Sequence, residues 1–259
     1  MKNAKCFKLL LFLFAAFLSV DCTPNSTPDA APVGETVSAT ELVAQADALY
    51  KQREDLNKLR EGLQLLRRAR VADGNNFAAA WKLAKFNYFL GNNAKDDALR
   101  DRAFKDGVTA SKTAIKMQAD KPDGYFWLGA NLGGQAEVNV IDGAANLPEI
   151  RQSMEKVIEL QPDYEGAMAF VGLAQIELET RGIMGGSAEK AASYLEQALK
   201  LSKQNPAIYV YLAEAYLAQN RKAEARKMLD AMRNTPPNPD YLPERREAEE
   251  EAKKVERKL

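Results

Sequence analysis

The spacing of five small side chains constrains this chain more than any other feature. Ala46, Ala84, Gly129, Gly172 and Ala213 recur at intervals of 38, 45, 43 and 41 residues, each inside an Ala/Leu-rich stretch of helical period. A small residue at a fixed place on an apolar helical face lets another helix approach closely. Its return at a regular spacing reads as a stack of similar units. The clearest unit starts at Pro206, where Tyr209, Leu212, Ala213 and Tyr216 share one face at i, i+3, i+4 and i+7, followed by Ala225, Leu229 and Met232 and then Pro236. The preceding unit has Met168, Val171 and Gly172 on its first helix and Ala191, Leu195, Ala198 and Leu201 on its second. Before it stand Tyr125, Leu128, Gly129 and Leu132, closed by Met154 to Pro162. Two weaker units come first, one with Leu42, Ala46 and Leu49 then Gly62, Leu66 and Ala69, the other with Leu83 and Ala84 then Gly107 and Ala114. Alternating β-branched runs are almost absent from Glu41 onward, so the chain reads as all-α. Pro122, Pro148, Pro162 and Pro206 are each placed to open a helix at its first turn.

A large residue, then Leu-Gly or Leu-Ala, then an aromatic residue on a first helix, with small residues on a second, resembles the tetratricopeptide repeat. The resemblance implies five helix pairs from Thr40 to Asn234 stacked into a right-handed solenoid. The ordinary repeat has about 34 residues, so every unit here is lengthened. The extra residues are expected in the charged stretch Asn92 to Arg102, in Gln135 to Leu147, which has room for an extra short helix, and in Arg181 to Ser187. Pro243 to Leu259 reads as a terminal capping helix, with a thin apolar stripe of Ala248, Ala252, Val255 and Leu259 and exposed Glu249/Lys253 and Glu250/Lys254 pairs. The expected fold is therefore an all-α, tetratricopeptide-like helical-hairpin solenoid over 41–259, with insertions and a C-terminal capping helix.

The N-terminus differs in kind. Lys2, Lys5 and Lys8 precede the uncharged run Leu9 to Val20, which is shorter than the roughly 20 residues that a membrane-spanning helix needs. Residues 1–21 therefore read as an export signal peptide. Leu18-Ser19-Val20-Asp21-Cys22 resembles a bacterial lipobox, which implies a lipid on Cys22 and a periplasmic, membrane-anchored protein. A plain secretory signal with an incidental cysteine is the alternative. The Pro/Ser/Thr-rich stretch after Cys22 lacks core-forming residues, so 22–40 reads as a disordered tether.

Composition removes most chemistry. The chain has no histidine, and both cysteines, Cys6 and Cys22, lie in the first 22 residues. Histidine-based triads, histidine-ligated zinc and a thiol nucleophile in the repeat region are excluded. No phosphate-loop, dinucleotide or metal motif is found, so no cofactor, metal site or catalytic residue is expected. Without residues 1–21 the chain carries 33 basic and 35 acidic side chains, which gives no electrostatic reason to bind nucleic acid. Glu137, Asp142, Glu177 and Glu179 read as a solvated helix face. Gly185-Gly186-Ser187 reads either as a turn with Ser187 capping the next helix or as an anion site at its N-terminus.

A narrower resemblance lies in Pro122 to Leu201, carried by Tyr125-Phe126-Trp127-x-Gly129-x-Asn131-x-Gly133, by Met154 to Pro162, by Gly185-Gly186-Ser187-x-Glu189-Lys190-Ala191 and by Leu195-x-x-Ala198-Leu199. This stretch looks like the T-component (TatT) lipoproteins associated with tripartite ATP-independent periplasmic transporters. That resemblance implies a periplasmic lipoprotein that partners a solute-binding protein, forms a homo-oligomeric ring and passes a ligand through it.

First-helix positions beside the packing set line the concave surface of such solenoids. Here those positions are Trp81, Lys85 and Tyr88 in one unit and Phe126 in the next. They are candidates for binding a partner or ligand, or they pack on the Gln135 to Leu147 segment or a neighbouring helix. Trp127 and Asn131 lie at i and i+4, where they either close an internal network with a Gly133-Gly134 turn or line a ligand cavity. The functional expectation is a non-enzymatic scaffold that binds a protein partner, with a periplasmic carrier of an apolar small molecule or a general envelope-assembly scaffold as alternatives.

Overall fold

The structure, a computed structural model, describes residues 37–238 and 242–259, and only the backbone of residues 140–142. The expected signal peptide, Cys22 and most of the tether lie outside the described residues. Eleven helices form among the described residues: α1 Ala39–Tyr50, α2 Leu56–Ala72, α3 Phe77–Asn93, α4 Asp97–Met117, α5 Pro122–Val138, α6 Val140–Leu160, α7 Tyr164–Glu179, α8 Ala188–Leu201, α9 Pro206–Ala218, α10 Lys222–Asn234 and α11 Leu242–Glu256. Short polar side chains start most of them. Ser38, Asp55, Asn76, Asp96, Ser187 and Asn205 each accept a backbone N–H of the first turn that follows, and Pro122 and Pro206 stand where a missing N–H costs nothing.

The helices pair as five hairpins, α1/α2, α3/α4, α5/α6, α7/α8 and α9/α10, and each second helix also packs against the next first helix. First helices touch one another along the whole stack, α1 to α3, α3 to α5, α5 to α7 and α7 to α9, whereas no such row joins the second helices. The first helices therefore crowd the inner side of the coil, and the concave wall is theirs. Ala46, Ala84 and Ala213 are fully buried at the contacts that their spacing predicted. Glycine permits the tightest approaches. The ring of Phe104, fully buried on α4, lies against Gly91 of α3 and Gly134 of α5, where no side chain would fit.

Three sequence expectations need correction. Gln135 to Leu147 adds no extra helix. It and the Asn92 to Arg102 entry to α4 lengthen the hairpins, with 21 residues in α4 and in α6 against 13 in α9 and in α10. Within Gln135 to Leu147 the chain passes from α5 to α6 at Asn139, and the other residues of that segment belong to those two helices. Pro148 lies inside α6 rather than opening a helix, and Gly133 and Gly134 lie within α5 rather than in a turn. Arg181 to Ser187 is a true inserted loop, closed by a bridge between Arg181 and Gly186.

The start of α7 departs from a right-handed helix. Glu165, Gly166 and Ala167 adopt φ values of 46°, 68° and 64°, a left-handed turn that glycine accepts freely and the other two do not. Backbone N–H groups of Gly166 and Ala167 donate to the Asp163 carbonyl, and Asn205 Nδ2 donates to the Gly166 carbonyl at 2.9 Å. Those bonds hold the turn and aim the side chains of Tyr164 and Glu165 at the concave wall.

Helix α11 caps the last apolar face with Ala248, Ala252 and Val255, as expected. It also does more. Its backbone packs along α9 and its first turns reach the α1–α2 turn at the opposite end of the stack.

Candidate functional site

A row of aromatic and charged side chains runs across the first helices. Tyr50 ends α1, and Arg53 follows in the next turn with its guanidinium 4.7 Å from the Tyr50 ring centre and 5.5 Å from that of Phe89. On α3, Lys85 Nζ lies 5.1 Å from the Tyr50 ring and 5.3 Å from the Trp127 ring of α5. Lys85 also pairs with Glu165 of α7 at 2.9 Å, so the first residue of the left-handed turn meets the wall. The rings touch one another in sequence: Tyr50 with Phe86 at 4.8 Å, Tyr88 with Trp127 at 5.6 Å, Trp127 with Phe126 at 4.9 Å and Phe126 with Tyr164 at 5.4 Å. The Tyr164 hydroxyl donates to Asp123 Oδ1 at 3.0 Å. These rings and cations pack against one another, with Trp127 5% exposed and the Tyr50 and Tyr88 hydroxyls taken out of water by burial.

Charge distribution inside the coil is uneven. Burial raises the Tyr88 hydroxyl to about 12, opposed by a hydrogen bond with Asn92 and reinforced by Glu247, Glu137 and Glu244. Burial likewise pushes up Tyr211 of α9, with Tyr88, Glu247, Glu251 and Glu214 adding to it. Glu247 is held above the usual carboxylate range by the crowding walls and then by Glu244, Glu251 and Glu137, although water reaches it. Glu179 is raised in the same way by its surroundings, then Glu137 and Glu214. Cations stand beside several of these carboxylates: Arg100 pairs with Glu137 at 3.3 Å, Lys258 with Glu214 at 3.7 Å, and Lys254 with Glu251.

Lys85, Tyr88, Phe126 and Trp127 come together on this wall. Phe126 and Trp127 are buried members of the middle core cluster, Tyr88 and Trp81 pack half-buried against it, and Lys82 Nζ lies 5.2 Å from the Trp81 ring. Asn131 is fully buried, and its Nδ2 donates to the carbonyls of Ala84 at 3.2 Å and Trp127 at 2.7 Å, so it ties α5 to α3 from inside. Glu177 is not on a solvated face. It is 3% exposed, paired with Arg151 at 2.9 Å, and its Oε2 accepts the Ser187 backbone N–H at 3.0 Å. That carboxylate occupies the α8 N-terminus where an anion was one reading, and Ser187 Oγ caps the same helix by accepting from the Lys190 N–H.

Sequence reading missed Tyr50, Arg53, Phe89, Tyr164 and Glu165. Tyr50 had a signal, because it follows Ala46 by four residues as Tyr88 follows Ala84. Arg53 and Glu165 had none, since their positions depend on a turn and on a left-handed backbone.

The family model described as Regulator of microtubule dynamics protein 1-3 matches residues 42–259. The chain belongs to this family. Within it, the curated Regulator of microtubule dynamics protein 3 of Mus musculus is 23% identical over 240 residues, which is 85% of this chain and 50% of the relative. The chain thus spans about half the length of that relative. Among solved structures, a thermophilic TPR protein of Thermus thermophilus superposes with a TM-score of 0.62 at 20% identity, over 83% of this chain and 98% of the other. Pseudomonas aeruginosa pilF superposes at 0.57 with 15% identity, over 84% and 88%. This regulator-family chain is therefore a divergent tetratricopeptide-like protein, and none of these three relatives is described as a T-component lipoprotein.

Proposed function

We propose that this chain is a non-catalytic scaffold, exported and held at a cell-envelope membrane by a lipid on Cys22, that grips a protein partner with its concave wall. One observation carries the binding reading. Tyr50, Arg53, Lys85, Tyr88, Trp127 and Glu165, drawn from four hairpins, converge on one wall with charges already positioned by rings. Aromatic and arginine side chains that sit partly desolvated in this way are the usual anchors of protein interfaces. The anchoring reading is supported by Lys2 to Val20 and Cys22, and the T-component resemblance makes a periplasmic solute-binding protein the partner to test first. The mouse relative is named for microtubule dynamics, but the export-like leader of this chain favours the envelope setting. For an apolar carrier, the rings that would line a cavity are in contact with one another. The two clefts described, about 320 and about 350 Å³, are bordered by Arg67, Arg70 and Asp106 and by Arg181, Glu214 and Lys258.

The test is capture from detergent-solubilised envelopes by the full chain, with the partner identified by mass spectrometry. A single partner that is recovered by wild type, and lost with Tyr88→Ala or Lys85→Met while helicity is retained, supports the reading. Equal recovery by the variants overturns it. Metabolic palmitate labelling that disappears in Cys22→Ser supports the anchor, and equal labelling, or none in either protein, removes it.

A further inference from the structure

Charge is sorted between the two rows of helices. The five first helices, α1, α3, α5, α7 and α9, carry two basic and eight acidic side chains. Helices α2 and α4, on the outer side of the first two hairpins, carry ten basic and four acidic ones, whereas the remaining outer helices, α6, α8 and α10, carry eight of each. The excess of positive charge is therefore confined to one stretch of the convex side.

The cations are also in register. On α2, Arg60, Gln64, Arg67 and Val71 recur at i, i+4, i+7 and i+11, so they share one face with Arg68 beside them, and all five are exposed. On α4, Lys105, Thr109, Lys112 and Lys116 repeat the same spacing and are likewise exposed. The two stripes stand side by side, joined where Arg67 pairs with Asp106 at 3.5 Å. Nearby carboxylates do not cancel them. Lys58 with Glu61, Lys105 with Asp101 and Lys112 with Glu149 are exposed pairs that contribute little and exchange readily. Arg68 and Lys116 pair with no carboxylate among the described residues. In the middle of the α2 face Val71 is 89% exposed, so an apolar side chain stands in water among arginines.

Cations around an exposed apolar side chain on one helical face suit a surface that lies against anionic headgroups. We propose that the outer face of α2 and α4 docks on an anionic bilayer, with Val71 entering the headgroup region while Arg60, Arg67, Arg68 and the α4 lysines meet lipid phosphates. This inference rests on the membrane-anchored reading and says which side of the domain meets the bilayer. Residues 23–38 separate Cys22 from α1 and reach at most about 55 Å when fully extended, so an anchor on Cys22 enters the domain at the hairpin that carries the α2 stripe. A lipid chain joined to a basic patch holds a protein far more durably than one chain alone. The concave wall then faces away from the bilayer.

The test uses the full chain with Cys6→Ser, Cys22→Ser and Val71→Cys, labelled at position 71 with an environment-sensitive fluorophore, and vesicles of phosphatidylcholine with or without phosphatidylglycerol. With phosphatidylglycerol the emission should shift to the blue and be quenched by spin-labelled lipid. Without it the label should stay in water. Arg60→Glu combined with Arg68→Glu should weaken the response at least about tenfold in apparent vesicle affinity, and high salt should weaken it as well. A label at Lys227→Cys, exposed on α10, should report water throughout. A label at position 71 that ignores phosphatidylglycerol, responds equally to neutral vesicles or is unaffected by the two glutamates overturns the inference. A shift caused by polyglutamate and not by vesicles also overturns it, and assigns the face to an acidic protein. Because this chain lacks Cys22, the two readings fail separately. A vesicle response without palmitate labelling of the wild type removes the lipid anchor alone, and palmitate labelling with a silent label at position 71 removes this inference alone.

Discussion

Substituting Gly107 by alanine tests the closest helix contact in the stack. The new methyl would overlap the side chain of Asn131, which is fully buried and donates to the carbonyls of Ala84 and Trp127. Forcing a side chain off its seat in a packed interior costs about 1–3 kcal/mol. Pulling the Asn131 amide from its acceptors adds about 1–3 kcal/mol more. Alanine returns at most about 1 kcal/mol of helix propensity, which leaves a net loss near 3 kcal/mol. At about 2–4 °C per kcal/mol for a domain of this size, Tm should fall by roughly 6–12 °C in thermal circular dichroism. Gly133→Ala is the internal control, because nothing lies near its added methyl and α5 should gain about 0.5–1 kcal/mol. In a double-mutant cycle, Asn131→Ala should rescue Gly107→Ala by about 1 kcal/mol or more relative to additivity. A neutral or stabilising Gly107→Ala would refute the seating of Asn131 between α3, α4 and α5.

Gly166→Ala places a side chain at a φ of 68° and 3.3 Å from Asn205 Nδ2 and Ser202 Oγ, so urea unfolding should report a loss of about 1–2 kcal/mol. An unchanged midpoint would mean that the α7 turn is not left-handed. The folded state raises the carboxyls of Glu247 and Glu179, so their stabilising contribution is complete below the unfolded value of 4.5 and is lost as pH rises through the folded values. Stability attributable to this pair should therefore increase as pH drops from neutral toward 4.5, and Glu247→Gln should raise Tm at pH 7 and flatten that dependence. A Glu247→Gln protein with the wild-type pH profile would remove Glu247 from the crowded interior.

Much of the architecture was legible because it is written in local patterns. Ala46, Ala84 and Ala213 marked the buried faces, Ser187 and Pro206 marked helix starts, and the i, i+3, i+4, i+7 face of Tyr209 to Tyr216 fixed the register. The grouping of Lys85, Tyr88, Phe126 and Trp127 followed from the same register. What escaped depends on distance along the chain or on backbone geometry. Arg53 and Glu244 are 191 residues apart, and nothing near either announces the other. Glu165 reaches Lys85 because three residues take left-handed angles, and Glu177 is buried because the Arg181 to Ser187 loop folds back over it. Asn131 read as part of an internal network or as a cavity residue, and its two backbone acceptors place it inside the α3–α5 contact.

The most direct test of the closure of the stack by α11 is the separation between that helix and the first hairpin. Spin labels at Glu54→Cys and Arg246→Cys, in a full chain with Cys6→Ser and Cys22→Ser, leave the Arg53–Glu244 pair to hold the helix. Pulsed dipolar spectroscopy should then give one narrow population at short distance, broadened and lengthened by adding Arg53→Gln. A long or broad distribution in the parent, unchanged by Arg53→Gln, would mean that α11 does not close the stack.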